Sequence, residues 1–232
     1  MSIKAVLFDL CNTIARFHPP REELQLQACR EFGLDVTPQG ILKGYVVADD
    51  YMSKENAISP IFKRSKEERW RFFGEYERLI LQGAGLDVSW ELGRKIFARL
   101  RKIPYDLVLF DDVLPALKRL KELGLTLGLI TNIYEDMDSL CQRLGLSPYL
   151  NFSVTSQEVG AEKPHPNIFL AALKRAGVSP AEAIHVGDQY NSDVVGARGV
   201  GIRPILIDRD GLQRETDECP RIRSLVEVEG HL

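Results

Sequence analysis

The chain has 232 residues, and its 44% hydrophobic and 27% charged residues are ordinary for a globular protein with a packed core. Its 30 basic and 33 acidic residues give a formal net charge of −3, which argues against a nucleic-acid or anionic-membrane surface as the main partner. The four cysteines are too widely spaced for a zinc site or a small disulfide scaffold, and no apolar run approaches the roughly 20 residues that span a bilayer. With no cleavable leader in MSIKAVLFDL, these features predict a cytoplasmic protein with reduced cysteines.

The first predicted element is a buried strand, Ala5 to Phe8, which runs directly into Asp9. The next four residues, Leu10 to Thr13, break the apolar run and are polar at three positions. An aspartate at the carboxyl end of an interior strand is well placed for chemistry, because open α/β sheets bind ligands in the crevice outside those ends. Taken alone, the stretch fits an ordinary strand and turn about as well, since Asp and Asn favour loops.

The stretch that follows, as far as Pro104, is predicted to be helical. The sequence His18-Pro19-Pro20 interrupts regular structure before it, and Ser65 with Glu68 has the spacing of a capping box within it. The predicted helices are Glu22 to Phe32, Pro38 to Met52, Ser65 to Leu81 and Ser89 to Leu100. Four helices without an intervening strand indicate an all-α insertion after the first strand.

Helices and strands alternate after Tyr105, which is the pattern of a parallel sheet with covering helices. The predicted helices are Val113 to Leu123, Asp136 to Leu144, Asn167 to Ala176 and Ser192 to Val200. The predicted strands are Leu125 to Thr131, Phe152 to Thr155, Ala183 to Val186 and Ile202 to Ile207. The polar and charged tail after Asp210 is expected to pack weakly.

The first strand must return to this sheet, because a single unpaired strand is unstable. Right-handed crossovers then bring the carboxyl ends of the parallel strands to one edge. Asp9, Thr131 and Asp188 lie at or just beyond such ends, and Lys163 lies in the loop after another. The sequence therefore predicts an α/β fold with a candidate site at this edge.

Three aspartates at the predicted edge suit phosphoryl transfer. An aspartate can act as a nucleophile and carry a phosphoryl group, and carboxylates are the usual ligands of Mg²⁺. Asp188 and Asp193, in the sequence GDQYNSD, are placed to bind or orient such an ion opposite Asp9.

Three further residues suit phosphate binding. Lys163, in GAEKPHP, offers a positive charge, while Thr131 and Asn132 offer a hydroxyl and backbone N–H groups. Each motif is weak alone, because Thr-Asn often caps a helix, a lysine before proline is usually solvated and Gly-Asp is usually a turn. Their order at the strand ends of one sheet favours the functional interpretation.

With these motifs, the sequence resembles the haloacid dehalogenase superfamily, whose members are mostly Mg²⁺-dependent phosphatases on a Rossmann-like core. The four motifs of that superfamily look matched by Asp9 to Thr13, by Leu129 to Asn132, by Lys163, and by Gly187-Asp188 with Asp193. The resemblance runs from about Ile3 to Asp208. It implies a three-layer catalytic core of residues 1–16 and 105–232, with an inserted helical cap of residues 17–104.

The resemblance also implies a role for each motif. Asp9 is expected to be the nucleophile and a Mg²⁺ ligand, with Asp188 completing the metal site. Thr131 and Lys163 are expected to hold the phosphoryl group, and Asp193 to steady Lys163 or a metal-bound water. The expected substrate is a small phosphorylated metabolite, whose identity is set in the family largely through the cap.

The sequence departs from the phosphatase pattern at Cys11, where family phosphatases carry a second aspartate. That aspartate protonates the leaving oxygen and later deprotonates the attacking water. A thiol, with an ordinary pKa of about 8.5, is a poor substitute, and losing positioned acid–base catalysis typically costs about 10² to 10⁴ in rate. The metal is expected to be affected less, because in the family this position binds Mg²⁺ through its backbone carbonyl. We therefore expect Mg²⁺ and phosphate binding with slow turnover, or a preference for esters with good leaving groups.

Two alternatives to a phosphatase stay open. Haloacid dehalogenases of the family also lack the second aspartate, but their reaction needs no metal, whereas this sequence retains Asp188 and Asp193. The other alternative is a catalytically weak module that binds a phosphorylated ligand or a protein through the same crevice. The sequence makes no prediction of the oligomeric state.

Overall fold

The computed structural model describes residues 2–133, 135–213 and 217–232. The chain divides into two compact units, which are named here for their secondary structure. The sheet unit is Met1–Arg16 with Leu107–Leu232, and the helical unit is Phe17–Asp106. The helical unit therefore follows the first strand and precedes every other strand of the large sheet.

Eight strands lie in the described part of the chain. They are β1 (Ala5–Phe8), β2 (Ala15–His18), β3 (Asp106–Leu109), β4 (Thr126–Thr131), β5 (Phe152–Thr155), β6 (Ala183–Gly187), β7 (Arg203–Ile207) and β8 (Arg221–Ile222). Six of them form one parallel sheet in the order β5-β4-β1-β6-β7-β8, and β2 pairs with β3 separately. The first strand is thus in the interior of the sheet, between β4 and β6.

The helices of both units follow the predicted pattern closely. They are α1 (Arg21–Arg30), α2 (Pro38–Ile58), α3 (Lys66–Gly83), α4 (Trp90–Leu100), α5 (Val113–Glu122), α6 (Met137–Arg143), α7 (Ser156–Val159), α8 (Pro166–Ala176) and α9 (Gly196–Gly199). Short 3₁₀-helices cover Ile61–Lys63, Pro180–Glu182 and Leu225–His231, and a π-helix covers Tyr190–Val195. None of the helices in the described residues has the length and apolarity that a membrane span requires.

The large sheet is buried on both faces. All four residues of β1 have no solvent exposure, and side chains alternate between the faces of a strand. Ala5 and Leu7 belong to a hydrophobic cluster with Phe169 and Leu173 of α8. This confirms the predicted α/β fold, with a Rossmann-like parallel sheet and an inserted all-α cap.

Close helix contacts shape the helical unit. A Cβ on Gly44 of α2 would lie 2.0 Å from the carbonyl oxygen of Ile80, and one on Gly93 of α4 would lie 2.6 Å from that of Gly74. Only glycine permits the backbones to approach so closely. The predicted capping box is also present, since the Ser65 hydroxyl accepts from the Glu68 N–H at 3.2 Å and the Glu68 carboxylate accepts from the Ser65 N–H at 2.8 Å.

Some predicted elements were wrong. The segment predicted as one α-helix from Ser192 to Val200 is the π-helix followed by the single turn α9. Residues 15–18, expected to be irregular before the two prolines, form β2, because β3 supplies a pairing partner that lies far away in sequence. All four cysteines are thiols, as predicted.

The C-terminal tail packs against the sheet unit, contrary to the prediction that it packs weakly. Its strand β8 adds to the edge of the sheet with Ile222 in register with Ile207, and Asp208 donates its N–H to the Ile222 carbonyl at 2.8 Å. Ile222, Leu225 and Val228 are each at most 2% exposed. The few apolar residues of this charged segment are therefore part of the core.

Candidate active site

The carboxyl ends of three neighbouring strands bring the candidate residues together. Phe8, the last residue of β1, is in register with Leu129 on β4 and with Val186 on β6. Asp9 continues the ladder by donating its N–H to the Val186 carbonyl at 2.9 Å. Strand pairing thus fixes Asp9 near the carboxyl end of β4, which ends at Thr131, and near the loop after β6.

Lys163 joins two of the carboxylates. Its Nζ donates to Asp9 Oδ1 at 2.5 Å and to Asp193 Oδ1 at 2.6 Å, and its side chain is 3% exposed. The Asn132 side chain holds the Lys163 backbone, because Asn132 Oδ1 accepts from the Lys163 N–H at 2.8 Å and Asn132 Nδ2 donates to its carbonyl at 3.3 Å. Asn132, expected to present its backbone to a phosphate, therefore also uses its side chain to position the lysine.

The Thr131 hydroxyl lies at the end of β4, where the sequence analysis placed it. The side chain is 2% exposed, and its Oγ1 accepts from the N–H of Ile133 at 3.1 Å. This contact fixes the turn after the strand. The hydroxyl proton is left to donate to another group, which is what a phosphoryl oxygen requires.

Burial and charge act in opposite directions on this cluster. Burial raises the pKa of Asp9, and the Lys163 ammonium opposes that rise. Burial would also raise the pKa of Asp193, but Lys163 and the hydrogen bond with His185 hold it well below its usual range. Burial would lower the pKa of Lys163, but the carboxylates of Asp193 and Asp9 raise it. Lys163 is therefore a permanent cation between its two partners.

Asp193 is fixed by its own turn and by β6. Its Oδ1 lies 3.0 Å from His185 Nε2, and its Oδ2 accepts from the Gln189 N–H at 3.0 Å. Asp193 in turn donates its N–H to the Gln189 carbonyl at 2.8 Å. A Cβ on Gly187 would lie 2.2 Å from Asp193 Cγ, so the carboxylate occupies the space that a side chain at this position would fill. The sequence analysis missed His185, because a single histidine in an apolar strand carries no functional signal.

The three aspartates form a group suited to a hard cation. One carboxylate oxygen from each of Asp9, Asp188 and Asp193 can be chosen so that all lie within 4.8 Å of one another. Two of these side chains are buried and Asp188 is half-buried. Three converging carboxylate groups offer several oxygen ligands, and a divalent ion such as Mg²⁺ prefers oxygen ligands.

Cys11 lies in a tight loop directly after the aspartate. It forms an isolated parallel bridge with Ala15, and Asn12 between them has a left-handed backbone with φ +57°. Two further bonds close the loop, since Asn12 donates its N–H to the Ala15 carbonyl at 2.6 Å and Ala15 donates to the Leu10 carbonyl at 2.8 Å. Cys11 is half-buried, and the loop holds it two residues beyond Asp9.

Comparisons with known proteins point to one family. Residues 3–201 match the family model of the haloacid dehalogenase-like hydrolases. The glyceraldehyde 3-phosphate phosphatase of Methanopyrus kandleri is 31% identical over 242 residues, which cover 97% of each chain.

Solved structures of two kinds of enzyme resemble the chain along nearly all of its length. A phosphatase of the same superfamily from Thermococcus onnurineus is 28% identical with a TM-score of 0.59, and the match covers 99% of this chain and 97% of that one. A 2-haloacid dehalogenase from Pseudomonas syringae pv. Tomato DC3000 is 27% identical with a TM-score of 0.57, covering 98% and 97%.

Proposed function

The chain belongs to the haloacid dehalogenase-like hydrolase family, and we propose that it is a Mg²⁺-dependent phosphatase of small phosphorylated metabolites. The observation that carries the proposal is the buried cluster in which Lys163 binds both Asp9 and Asp193. One carboxylate oxygen of Asp188 lies within 4.8 Å of an oxygen from each of these two aspartates. The M. kandleri relative is named for a three-carbon phosphate ester, and it supports a substrate of that chemical class.

In the proposed reaction, Asp9 is the nucleophile. Its carboxylate oxygen forms a bond to phosphorus while the bond from phosphorus to the leaving oxygen breaks. A water molecule then attacks the aspartyl phosphate, releases inorganic phosphate and restores Asp9. Lys163 and the Thr131 hydroxyl offset the charge of the phosphoryl oxygens during both steps.

Three aspartates, Asp9, Asp188 and Asp193, would hold the metal ion through their carboxylate oxygens. By the resemblance to the family, the backbone carbonyl of Cys11 would be a further ligand. Bound Mg²⁺ would supply positive charge that stabilises the phosphoryl group as it is transferred. The convergence of carboxylate oxygens from three aspartates supports this assignment.

Cys11 determines how the proposed reaction handles protons. The leaving oxygen needs a proton as its bond to phosphorus breaks, and the attacking water must lose one. A thiol is a weak hydrogen-bond donor and acceptor, so Cys11 serves both steps poorly. We propose that turnover is slow, and slowest for alkyl phosphates, whose leaving groups depend most on protonation.

The proposal is tested with p-nitrophenyl phosphate, an activated aryl ester. We expect Mg²⁺ to support hydrolysis, and excess chelator or Asp9→Asn to abolish it. Asp111→Asn, which changes an exposed aspartate of the same unit, serves as the matched control and should leave the rate unchanged. Hydrolysis that is indifferent to both the chelator and Asp9→Asn would overturn the proposal.

The role of Cys11 is tested by Cys11→Asp on paired aryl and alkyl phosphates. Restoring positioned acid–base catalysis is expected to raise turnover by about 10². The gain should be at least as large for the alkyl ester as for the aryl ester. An unchanged rate on both esters would show that Cys11 is not the limiting feature.

A 2-haloacid dehalogenase is the second candidate, favoured by Cys11 and by the similarity to the P. syringae enzyme. A halide leaves without a proton, so the missing aspartate costs that reaction nothing. Chloride release from 2-chloropropionate that persists in excess chelator would establish it over the phosphatase. If neither the aryl phosphate nor the alkyl phosphate nor 2-chloropropionate is turned over, but calorimetry detects binding of a phosphorylated ligand, the protein is instead a binding module.

A further inference from the structure

Arg209 links the C-terminal segment to the loop that follows Asp9. Its Nε and Nη2 both donate to the Thr13 carbonyl, at 3.1 and 2.7 Å. Its Nη1 donates to Asp112 Oδ2 at 3.1 Å, and its Cζ lies 3.8 Å from the centroid of the Phe110 ring. The guanidinium is therefore fixed on three sides, with its side chain 12% exposed. Arg209 also lies beyond residue 201, where the family match ends.

The loop that Arg209 contacts is the one that carries Cys11. Besides the bonds that close the loop, Ile14 donates its N–H to the Leu10 carbonyl at 3.0 Å. The Ile14 carbonyl accepts from the N–H of Phe110 at 3.3 Å, so the residue under the guanidinium also binds the loop. Thr13 has no solvent exposure, so in the intact structure its carbonyl is satisfied by Arg209 rather than by bulk water.

The C-terminal segment anchors the other side of this contact. Asp112 Oδ2 accepts from the Ser224 hydroxyl and from the Leu225 N–H, each at 2.7 Å. These bonds hold the start of the last 3₁₀-helix, Leu225–His231, against the residue that binds Arg209. A continuous set of hydrogen bonds thus runs from Ser224 and Leu225 through Asp112 and Arg209 to Thr13.

We propose that Arg209 is a positioning residue for the active site. It fixes the loop from Leu10 to Ala15, and through that loop it holds the backbone that directly follows the proposed nucleophile Asp9. The C-terminal segment that begins at Arg209 then helps to hold the active-site loop in place. The catalytic part of this inference rests on the proposed phosphatase activity, whereas the effect on the loop does not.

An arginine suits this position better than a lysine. The planar guanidinium offers two N–H groups to one carbonyl oxygen, a third to Asp112 and a flat face to Phe110. A lysine ammonium keeps the charge and one of these bonds at a time. Arg209→Lys therefore separates charge from geometry, and Arg209→Gln removes both.

The first measurement is steady-state hydrolysis of p-nitrophenyl phosphate by the full chain. We expect Arg209→Gln to lower kcat by about 10- to 100-fold with KM within about twofold, the size of effect typical when a partner that orients a catalytic group is lost. Arg209→Lys should recover part of the loss. The control is Arg119→Gln, which removes the ion pair between Arg119 of α5 and Glu229 of the C-terminal 3₁₀-helix. It leaves Thr13 untouched and should leave kcat unchanged.

The second measurement is amide hydrogen exchange of the segment containing residues 10–15, without substrate. We expect Arg209→Gln to raise its exchange at least tenfold, while the segment containing β6 stays protected. Wild-type exchange and wild-type kcat in Arg209→Gln would overturn the inference and leave the phosphatase proposal standing. Faster exchange in a chain whose wild type hydrolyses no ester would instead overturn the phosphatase and retain the effect of Arg209 on the loop.

Discussion

Both units bury polar side chains, and the two clusters differ in how their charges are balanced. In the sheet unit, Lys163 lies between Asp9 and Asp193, and Asp188 is close by. In the helical unit, the fully buried Glu77 accepts a hydrogen bond from Gln25, and no cation among the described residues pairs with it. Burial raises the pKa of Glu77 to about 8, so this carboxyl group keeps its proton at neutral pH.

The difference shows what separates a site from a packing network. The Glu77 cluster stays neutral and connects helices, since Gln25 on α1 also accepts from the Tyr45 hydroxyl of α2 at 3.2 Å. The cluster at the sheet edge instead contains ion pairs, in which the Lys163 ammonium contacts Asp9 and Asp193, and removal of one partner would leave a buried charge unpaired. Buried polarity is common to both units, and a buried ion pair between Lys163 and two aspartates distinguishes the cluster at the sheet edge from the Glu77 cluster.

The largest effect is expected when Lys163, whose ammonium contacts both Asp9 and Asp193, is replaced. Lys163→Met leaves two buried carboxylates side by side, which should lower the free energy of unfolding in chelator by about 3–5 kcal/mol. The rate of p-nitrophenyl phosphate hydrolysis should fall by about 10²- to 10³-fold, which is the typical cost of losing one hydrogen-bond donor to a developing oxyanion. Urea unfolding and initial rates measure the two effects.

The control for that change is Lys121→Met. Lys121 donates to a backbone carbonyl at the surface of the same unit and touches neither aspartate. Equal losses in the two variants would show that the charge at the sheet edge has no special role.

A smaller effect, on stability alone, is expected from Glu77→Gln. Below pH 4.5 the carboxyl group is protonated in both the folded and the unfolded chain, so it has no influence on the pH dependence. Between pH 4.5 and about 8 it ionises only in the unfolded chain, which lowers the free energy of unfolding as pH rises. Glu77→Gln should remove this slope. At pH 8 it should therefore stabilise the protein by a few kcal/mol, on the order of 1.4 kcal/mol for each pH unit between the pKa of the unfolded chain and that of the folded chain.

Denaturant unfolding at pH 4.5 and pH 8 measures the effect of Glu77→Gln. Glu67→Gln, on the exposed face of the same helix, is the control and should leave the slope in place. A Glu77→Gln chain as pH-sensitive as the wild type would contradict the assignment of Glu77 as a neutral packing group.

The sequence could predict the parts of the site that depend on strand order. Asp9, Thr131 and Asp188 were placed at one edge because the carboxyl ends of parallel strands must converge there. Lys163 was placed in a loop opening onto that edge, but its contact with both carboxylates depends on the path of the loop and on the Asn132 side chain. Such contacts carry no periodic signal.

The prediction that the C-terminal tail packs weakly was wrong for a similar reason. Ile222, Leu225 and Val228 are separated by charged residues, so their spacing shows neither a clear strand nor a clear helix. Their burial depends on the open edge of β7 and on Asp112, which lie far away in sequence. Arg209 was overlooked with them, because its partner is the carbonyl of Thr13 and a carbonyl is the same in every residue.

The smallest expected effect comes from Gly187→Ala, which probes the position of Asp193 without changing any charge. The added methyl group would lie 2.2 Å from Asp193 Cγ, so the carboxylate must move away from Lys163 or from His185. Displacing a group that orients catalytic residues should lower kcat/KM by about 10- to 100-fold and raise the Mg²⁺ concentration needed for half-maximal rate. Gly199→Ala is the matched control, because its added methyl group would meet nothing within 4 Å. Equal rates in Gly187→Ala and Gly199→Ala would mean that the position of Asp193, unlike the charge of Lys163, is not critical to the site.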